Sequence, residues 1–313
     1  MIRSMLLAAS LFATAAAPAG VELTMPGPQG ALAGTLLDPG KDAPAILIIP
    51  GSGPTNRDGD NPLGVKGGIY RQLAEALAAR GIATLRIDKR GMFGSKSAIA
   101  DANAVTIGDY AGDARAWVDM LRKRSGRSCV WLLGHSEGAL VALQAAQDSR
   151  GICGLILVAG AGRPLSEVIR AQLRANPANA ALLPQGEAAL DQLEAGRRVS
   201  PAAIPAPLQP LFNERVQGYL IDMFRHDPAK LIAAVTLPVL ILQGDRDIQI
   251  SVSDAERLKA AQPAATLKLM PGINHVLKSV ASDDRAANAA TYGDAGLPIA
   301  TEVPDTIAAF VRR

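Results

Sequence analysis

The pattern G-x-S-x-G occurs at residues 134–138, where the chain reads GHSEG. It follows the apolar run Val130–Leu133 and precedes the helix-like stretch ALVALQAAQ. Between a strand and a helix, small residues beside the serine permit a strained turn that exposes its hydroxyl group. The motif alone is weak, and its context makes it informative. We therefore predict that Ser136 is a nucleophile, with an ordinary turn serine as the alternative.

A serine hydroxyl needs a general base at neutral pH, and the sequence offers three histidines. His135 precedes Ser136 in the turn, so we expect its ring to point away from the serine and to pack or hydrogen-bond locally. His226 lies in the segment RHDP, which is typical of a solvated turn or a helix end. His275 follows the last strand-like run, Thr266–Met270, in the loop PGINH. Because His275 follows the last strand-like run and the other two histidines have other expected roles, we predict that His275 is the base.

The acid that orients the base is expected between nucleophile and base, because the order in this arrangement is Ser, then Asp or Glu, then His. The apolar run Val239–Gln243 leads into GDRDIQI, which contains Asp245 and Asp247. Both follow the carboxyl end of a strand, where sites of open α/β sheets are assembled. We predict Asp247, the last residue of the G-x-x-D turn. Asp245 is expected to stabilise the turn or to pair with Arg246.

A glycine-rich loop, PGSGP at residues 50–54, follows the buried-type run Ala45–Ile49. Glycines let the backbone approach a ligand closely. The oxyanion of a tetrahedral intermediate needs preorganised donors, one from the residue after the nucleophile and one from such a loop. We predict the backbone N–H groups of Glu137 and Ser52, with Gly53 as the neighbouring possibility. A simple strand-ending turn is the alternative reading of the loop.

Short apolar runs alternate with stretches of helical period along the chain, which predicts an α/β fold with a mostly parallel, eight-stranded sheet flanked by helices. The expected strands are Val21–Met25, Ala31–Leu37, Ala45–Ile49, Ala83–Asp88, Val130–Leu133, Leu155–Val158, Val239–Gln243 and Thr266–Met270. The first two are close enough to form an antiparallel hairpin. The expected helices are Gly68–Arg80, Thr106–Arg124 with a core Trp117, Glu137–Asp148, Ser253–Ala261 and Pro304–Val311.

The strand rhythm stops between residues 161 and 237, which predicts a helical cap inserted into a catalytic domain formed by residues 20–160 and 238–313. A disordered linker is the alternative. Its packing residues favour the cap, and they are Leu211, Phe212, Val216, Tyr219, Leu220 and Phe224.

The N-terminus predicts export. Arg3 precedes the apolar run Met5–Ala17, which ends in small residues suited to cleavage, so residues 1–19 are expected to be a signal peptide. The run is short for a membrane anchor, the alternative reading, and we expect a periplasmic or secreted protein without stable membrane insertion. Cys129 and Cys153 each open a strand-like run, and an oxidising compartment leaves two possibilities for them, a disulfide or two buried thiols.

Composition excludes some function classes. The chain is 49% hydrophobic and 19% charged, enough for a sizeable core, and its net charge is only +3. Lys and Arg residues are scattered rather than gathered with aromatics, so the sequence carries no nucleic-acid signal. No Cys/His cluster has metal-ligand spacing, and we expect no metal.

The sequence resembles the α/β-hydrolase superfamily over nearly the whole mature chain, in particular bacterial serine esterases, which are also labelled S33-like hydrolases. The shared motifs are PGSGP followed by Arg57-Asp58, DKRG at residues 88–91, GHSEG, the G-x-x-D turn and the N-H loop. One departure is the turn RGMFG at residues 90–94, where such relatives have R-G-x-G. Arg57, Asp58, Lys89 and Arg90 are expected to form a buried ion-pair network or to be solvated loop charges.

The resemblance implies hydrolysis of small-molecule carboxylic esters through an acyl-enzyme, with short to medium acyl chains and no cofactor. An exopeptidase of S33 type is an alternative, in which Glu137, Glu167 or Glu214 would bind a free α-amino group. A non-catalytic ligand-binding domain is a further alternative, since such domains typically lose a triad member.

Overall fold

Eight strands form one sheet in the computed structural model, which describes residues 20–313; the predicted signal peptide lies outside the described residues. The strands are β1 (Val21–Pro26), β2 (Ala31–Leu37), β3 (Ala45–Ile49), β4 (Ala83–Ile87), β5 (Val130–His135), β6 (Ile152–Val158), β7 (Val239–Gly244) and β8 (Thr266–Met270). Their order across the sheet is β1-β2-β4-β3-β5-β6-β7-β8. The β1/β2 and β2/β4 pairs are antiparallel and the other neighbours parallel. The predicted fold class is confirmed.

Helices cover both faces of this sheet and fill the segment between β6 and β7. They are α1 (Ile69–Ala78), α2 (Ile107–Ser125), α3 (Glu137–Ala145), α4 (Leu165–Ala175), α5 (Leu183–Glu194), α6 (Gln209–Phe212), α7 (Glu214–Phe224), α8 (Pro228–Ala233), α9 (Val252–Ala261), α10 (Arg285–Ala290) and α11 (Glu302–Val311). The five predicted helices correspond to α1, α2, α3, α9 and α11. Within the described range, no helix is both long enough and apolar enough to span a membrane.

Apolar side chains of helices pack against both faces of the sheet and form two core clusters. Helices α1 and α11 pack on one face, while α2, α3 and α9 pack on the other. Helix α2 begins with a capping box between Thr106 and Asp109 and ends at Gly126, which has a left-handed φ of 73°. These two signals fix its length, because they satisfy backbone groups that have no partner inside the helix. Trp117 of α2 is fully buried, as its spacing predicts.

The segment between β6 and β7 has an apolar cluster of its own, contributed by α4, α5, α6 and α7. Its fully or nearly fully buried members include Leu190, Leu193 and Phe212. The Asp222 carboxylate of α7 accepts a hydrogen bond of 2.8 Å from the Ile107 N–H, so it joins this segment to the first turn of α2. The division into catalytic domain and cap at residues 161 and 237 stays a prediction.

Cys129 and Cys153 form a disulfide, with their Cα atoms 5.1 Å apart. Cys129 directly precedes β5 and Cys153 lies in β6, which begins three residues earlier than the predicted strand. Because β5 and β6 are neighbours in the sheet, the two side chains meet. Of the two possibilities left by the sequence, the structure has the disulfide.

The carboxyl ends of the parallel strands lie at one edge of the sheet, where several loops converge. Strands β3 and β5 are neighbours, so the loop PGSGP lies beside the turn that carries Ser136. Strands β7 and β8 are also neighbours, so the loops after them lie side by side. This edge is where a site is expected in a sheet of this kind.

Candidate active site

Ser136 occupies a strained turn between β5 and α3. Its backbone has φ 55° and ψ −119°, outside the regions that non-glycine residues ordinarily adopt. The turn requires glycine on both sides of the serine. A Cβ at position 134 would collide with the Gly138 carbonyl, and one at position 138 would collide with the Ile49 carbonyl. The Ser136 N–H donates to the Val158 carbonyl at 2.9 Å. Backbone strain of this kind persists where the surroundings impose it, and it is typical of functional sites.

The structure brings Asp247 and His275 into direct contact. The His275 Nδ1 atom lies 2.7 Å from Asp247 Oδ2. The other carboxylate oxygen accepts from the backbone N–H groups of Gln249 at 2.8 Å and Ile250 at 2.9 Å. Burial would raise the pKa of the Asp247 carboxyl, but the charge and hydrogen bond of His275 and the two backbone donors hold the pKa below its usual value. Asp247 is therefore ionised at neutral pH, and the His275 Nδ1 carries the shared proton.

Ser136 and His275 line the same small cavity, together with Ser52. Among the described residues, no hydrogen bond joins the serine hydroxyl to the imidazole. In structures without a substrate, hydrogen bonds between such groups are often long or absent and form only in the complex. His226 lies between α7 and α8 and faces Asp222 at 3.7 Å, away from this cavity.

Asp245 and Arg246 do not pair with each other, and each has a partner in a later loop. The Asp245 carboxylate accepts a hydrogen bond of 2.7 Å from the Gly272 N–H, so it stabilises the turn after β8. Arg246 pairs with Asp283 rather than with Asp245. Of the two roles expected for Asp245, the structure has the stabilisation of a turn, although of the turn after β8, and not the ion pair with Arg246.

His135 is buried and connects the loops of the site, a role that sequence reasoning missed. Its Nε2 atom lies 2.8 Å from the His275 backbone oxygen, and its Nδ1 atom lies 2.8 Å from the Tyr70 hydroxyl. A carbonyl only accepts, so Nε2 carries the proton and Nδ1 accepts from Tyr70. The Tyr70 oxygen in turn accepts from the Gly51 N–H at 2.9 Å. No sequence signal distinguishes Tyr70 from an ordinary core residue of α1.

The buried His135 makes the stability of the protein depend on pH. Burial, reinforced by the charge of His275, lowers the pKa of His135 from 6.5 to about 3. The unfolded chain therefore takes up this proton before the folded protein does. The contribution to stability is complete above pH 6.5 and is lost progressively as the pH falls toward 3. We expect a slope of about 1.4 kcal/mol per pH unit from this one proton.

Urea unfolding of the wild type and of His135→Gln between pH 7 and pH 4 measures this term. The other titrating groups are common to both proteins, so the difference between the two slopes isolates His135. Equal slopes would contradict the inference that the ring is neutral and buried in the folded protein.

The loop that carries His275 is held by polar contacts from beyond it. The Asn274 side-chain amide donates to Asn288 at 3.0 Å and to Thr291 at 2.7 Å. Its oxygen accepts from the Lys278 N–H at 3.1 Å. Asn288 lies in α10, a short helix that the sequence reading did not predict. A six-residue helix has too few apolar positions to show a helical period.

Ser52 and Glu137, the two predicted oxyanion donors, have backbone N–H groups without an acceptor in the described structure. Within residues 20–313, neither the Ser52 N–H nor the Glu137 N–H has an intramolecular acceptor. Glu137 is the first residue of α3, and the first N–H groups of a helix have no partner inside it. Both residues line a cavity that also contains Ser136. Gly53 lines a cavity of about 710 Å³ at Ser136 but not the cavity that contains His275.

The charged residues of the RD and DKRG motifs do not form one network with each other. Each has a separate partner: Arg57 pairs with Asp88 at 2.8 Å, Asp58 with Arg86, Lys89 with Glu137 at 2.8 Å, and Arg90 with Asp113 at 2.6 Å. Of the two alternatives, the structure has ion pairs that are largely buried rather than solvated loop charges, and they are separate pairs rather than one connected network. In the RGMFG turn, Phe93 begins a 3₁₀ helix that accommodates the additional residue.

Three cavities meet at Ser136, of about 90, 710 and 70 Å³. The cavity of about 90 Å³ contains His275, Tyr292 and Val276. The cavity of about 710 Å³ is much larger and lies between the PGSGP loop and the segment between β6 and β7. Its wall is mainly apolar, and the residues that α4 to α7 contribute include Leu165, Val168, Ile169, Leu211, Val216, Leu220 and Met223.

The three glutamates that would bind a free α-amino group in an exopeptidase do not place an unpaired carboxylate beside Ser136. Glu137 is buried and paired with Lys89. Glu167 and Glu214 are exposed, and neither lines the cavities at Ser136. In the described part of the chain, no group of His, Cys, Asp and Glu side chains is arranged to hold a metal ion.

Known proteins share part of this sequence. Residues 63–207 match the family model described as serine aminopeptidase, S33. The chain is 32% identical over 244 residues to Esterase EstD of Thermotoga maritima, which covers 75% of this chain and 55% of that protein. The chain thus spans about half the length of this curated relative.

Solved structures show the same fold at low sequence identity. An esterase of Pyrococcus furiosus aligns with a TM-score of 0.58 and 18% identity over 94% of this chain and 91% of that one. Est1E of Butyrivibrio proteoclasticus, solved with ferulic acid bound, aligns with a TM-score of 0.58 and 20% identity over 90% and 96% of the two chains. The sheet order, the strained serine turn and these similarities agree. The chain therefore has the α/β-hydrolase fold.

Proposed function

We propose that this protein is a serine hydrolase that cleaves carboxylic esters through an acyl-enzyme intermediate. The single observation that carries the proposal is the convergence of three groups at the point where the cavities around Ser136 meet. These are a serine on a strained turn, a histidine paired with a buried carboxylate, and backbone N–H groups without partners. The similarity to Esterase EstD supports the same reaction class.

In the proposed mechanism, Ser136 Oγ attacks the ester carbonyl carbon while His275 Nε2 takes the hydroxyl proton. The N–H groups of Ser52 and Glu137 bind the oxyanion, and Asp247 stabilises the imidazolium form of His275. The intermediate collapses with cleavage of the carbon–oxygen bond, and His275 returns the proton to the departing alcohol. A water molecule then attacks the acyl-enzyme with His275 as base, which releases the acid and restores Ser136.

We propose that the two halves of the ester occupy different cavities. The imidazolium must protonate the leaving oxygen, so the alcohol part lies on the side of His275, in the cavity of about 90 Å³. The acyl part then occupies the apolar cavity of about 710 Å³, which His275 does not line. We propose substrates with a medium-length apolar acyl group and a small alcohol.

Methyl esters of increasing acyl length test this assignment, with acid release followed by titration. Each fully buried methylene contributes about 0.8 kcal/mol, so the four methylenes between butyrate and octanoate should raise kcat/KM by up to about two-hundredfold. Lengthening the alcohol from methyl to hexyl at constant acyl length should not raise kcat/KM, because the cavity beside His275 does not bury the added methylenes. The reverse pattern would contradict the assignment.

A matched pair of variants tests the wall of the larger cavity. Val216 and Val199 are both half-buried and both pack against the apolar cluster of α4 to α7, but only Val216 lines the cavity. Val216→Trp should remove the preference for octanoate, whereas Val199→Trp should retain it.

Hydrolysis of aminoacyl nitroanilides in place of esters would favour the exopeptidase, and absence of fluorophosphonate labelling would favour a ligand-binding domain.

A further inference from the structure

Lys89 is a buried cation next to the candidate oxyanion loop. It directly follows Asp88 at the end of β4, and only 2% of its side chain is exposed. Its Nζ atom donates to the Gly51 carbonyl at 2.7 Å and to Glu137 Oε1 at 2.8 Å, and it lies 5.2 Å from the centre of the Tyr110 ring. Burying an ammonium group is costly unless it is paired and hydrogen-bonded, so this arrangement needs a physical explanation.

The contact with Gly51 fixes the orientation of the next N–H group. The peptide bond between Gly51 and Ser52 is trans, since the described chain contains no cis peptide. In a trans peptide the C=O and N–H bonds point in opposite directions from one plane. With the Gly51 carbonyl directed at Lys89, the Ser52 N–H is directed to the opposite side.

The preceding peptide, Pro50–Gly51, is anchored as well. Its N–H group, that of Gly51, donates to the Tyr70 hydroxyl at 2.9 Å. Gly51 is also in close contact with the serine turn, because a Cβ there would lie 3.3 Å from the Ser136 Cβ. The peptides on both sides of the Gly51 Cα are therefore held by hydrogen bonds, which restricts rotation about this residue.

Lys89 acts on both candidate donors at once. Its hydrogen bond to the Gly51 carbonyl is charge-assisted, and it polarises the peptide so that the Ser52 N–H becomes a stronger donor. Its second bond holds the side chain of Glu137, whose own N–H is the other donor. Glu137 also balances the buried charge, so the lysine stays in place without making the site strongly cationic.

We propose that Lys89 is a positioning residue for the oxyanion hole, with Glu137 as its counter-ion. This proposal rests on the proposed function, because it concerns the charge that develops during ester cleavage. Lys89 borders the cavity of about 710 Å³, but its side chain is almost fully buried and its Nζ atom acts through the Gly51–Ser52 peptide rather than on the reacting atoms.

Lys89→Met tests the proposal, because methionine has a similar length and no donor. We expect kcat for methyl octanoate to fall by about ten- to a hundredfold, less than the loss of a complete oxyanion donor. KM should change by less than about threefold, since the ground-state carbonyl needs the donors less than the oxyanion does. A trifluoromethyl ketone with a matching alkyl chain, which adds Ser136 to give an oxyanion, should lose affinity by the same factor as kcat/KM. Inhibition by octanoate, which forms no oxyanion, should not change.

Two further variants separate positioning from folding. Lys89→Met leaves the Glu137 carboxylate buried without its partner, so the double variant Lys89→Met/Glu137→Gln removes both charges. Its melting temperature should recover toward that of the wild type, while kcat stays low. Arg90→Met is the matched control, because it removes the neighbouring ion pair with Asp113 without contact to the oxyanion loop.

The proposal is overturned if Lys89→Met or the double variant retains kcat within twofold, or if the ketone binds unchanged while kcat falls. It is also overturned if Arg90→Met lowers kcat as much as Lys89→Met. These outcomes leave the proposed function intact, because the wild type still hydrolyses esters. A wild-type protein that hydrolyses no ester would instead remove both proposals.

Discussion

Replacement of Ser136 by alanine is expected to lower kcat/KM for methyl octanoate by about 10⁴- to 10⁶-fold. Without the hydroxyl no acyl-enzyme forms, and only substrate binding and the oxyanion donors assist attack by water. The change removes a single oxygen atom, and alanine must adopt the same φ of 55° as the serine. We therefore expect the folded structure and the melting temperature to change little.

Labelling with a fluorophosphonate probe is the direct measurement beside the kinetics. The wild type should be labelled at one site, and Ser136→Ala should not be labelled. Unchanged ester hydrolysis by a correctly folded Ser136→Ala protein would show that another group is the nucleophile.

Asp247→Asn is expected to lower kcat by about 10⁴-fold, by reversing the tautomer of His275. The Oδ1 atom of Asp247 accepts from the N–H groups of Gln249 and Ile250, so an asparagine would place its carbonyl oxygen there. Its NH₂ group would then face His275 Nδ1, which must become an acceptor. The ring proton moves to Nε2, and the imidazole can no longer take the proton of Ser136.

Asp245→Asn is the matched control, two residues earlier in the same turn. Its carboxylate accepts from the Gly272 N–H, and an asparagine oxygen can accept the same bond. We expect kcat within about twofold of the wild type, since this side chain has no contact with the imidazole. A loss of similar size in both variants would mean that the turn as a whole, and not the Asp247 carboxylate, supports activity.

Most of the fold could be predicted from local sequence. The strands are short runs of buried apolar residues between Gly, Pro or polar turns, and every predicted run forms a strand. Ala31–Leu37 and Ala45–Ile49 have the predicted bounds without change. The start of β6 was missed because Ile152 and Cys153 stand ahead of Gly154, which interrupts the apolar pattern. Helix ends differ by up to three residues, since the last turn depends on capping contacts.

Contacts between distant parts of the chain could not be predicted in the same way. His135 and His275 are 140 residues apart, and the hydrogen bond between them exists only because β5 and the loop after β8 reach the same edge of the sheet. Lys89 and Glu137 are 48 residues apart, and their motifs alone allowed either a buried pair or solvated charges. The choice of ion-pair partner depends on distance in space, which sequence order does not give.

The sequence by itself determined the elements, their class and the residue types available for chemistry. Hydrophobic period and turn residues act over a few positions, and a strand–turn–helix motif restricts the backbone at Ser136 locally. The tertiary structure alone decided how Tyr70 and Lys89 hold the backbone at Gly51, and which cavity lies beside His275. These features depend on the register and order of strands far apart in the chain, and packing of the whole sheet fixes both.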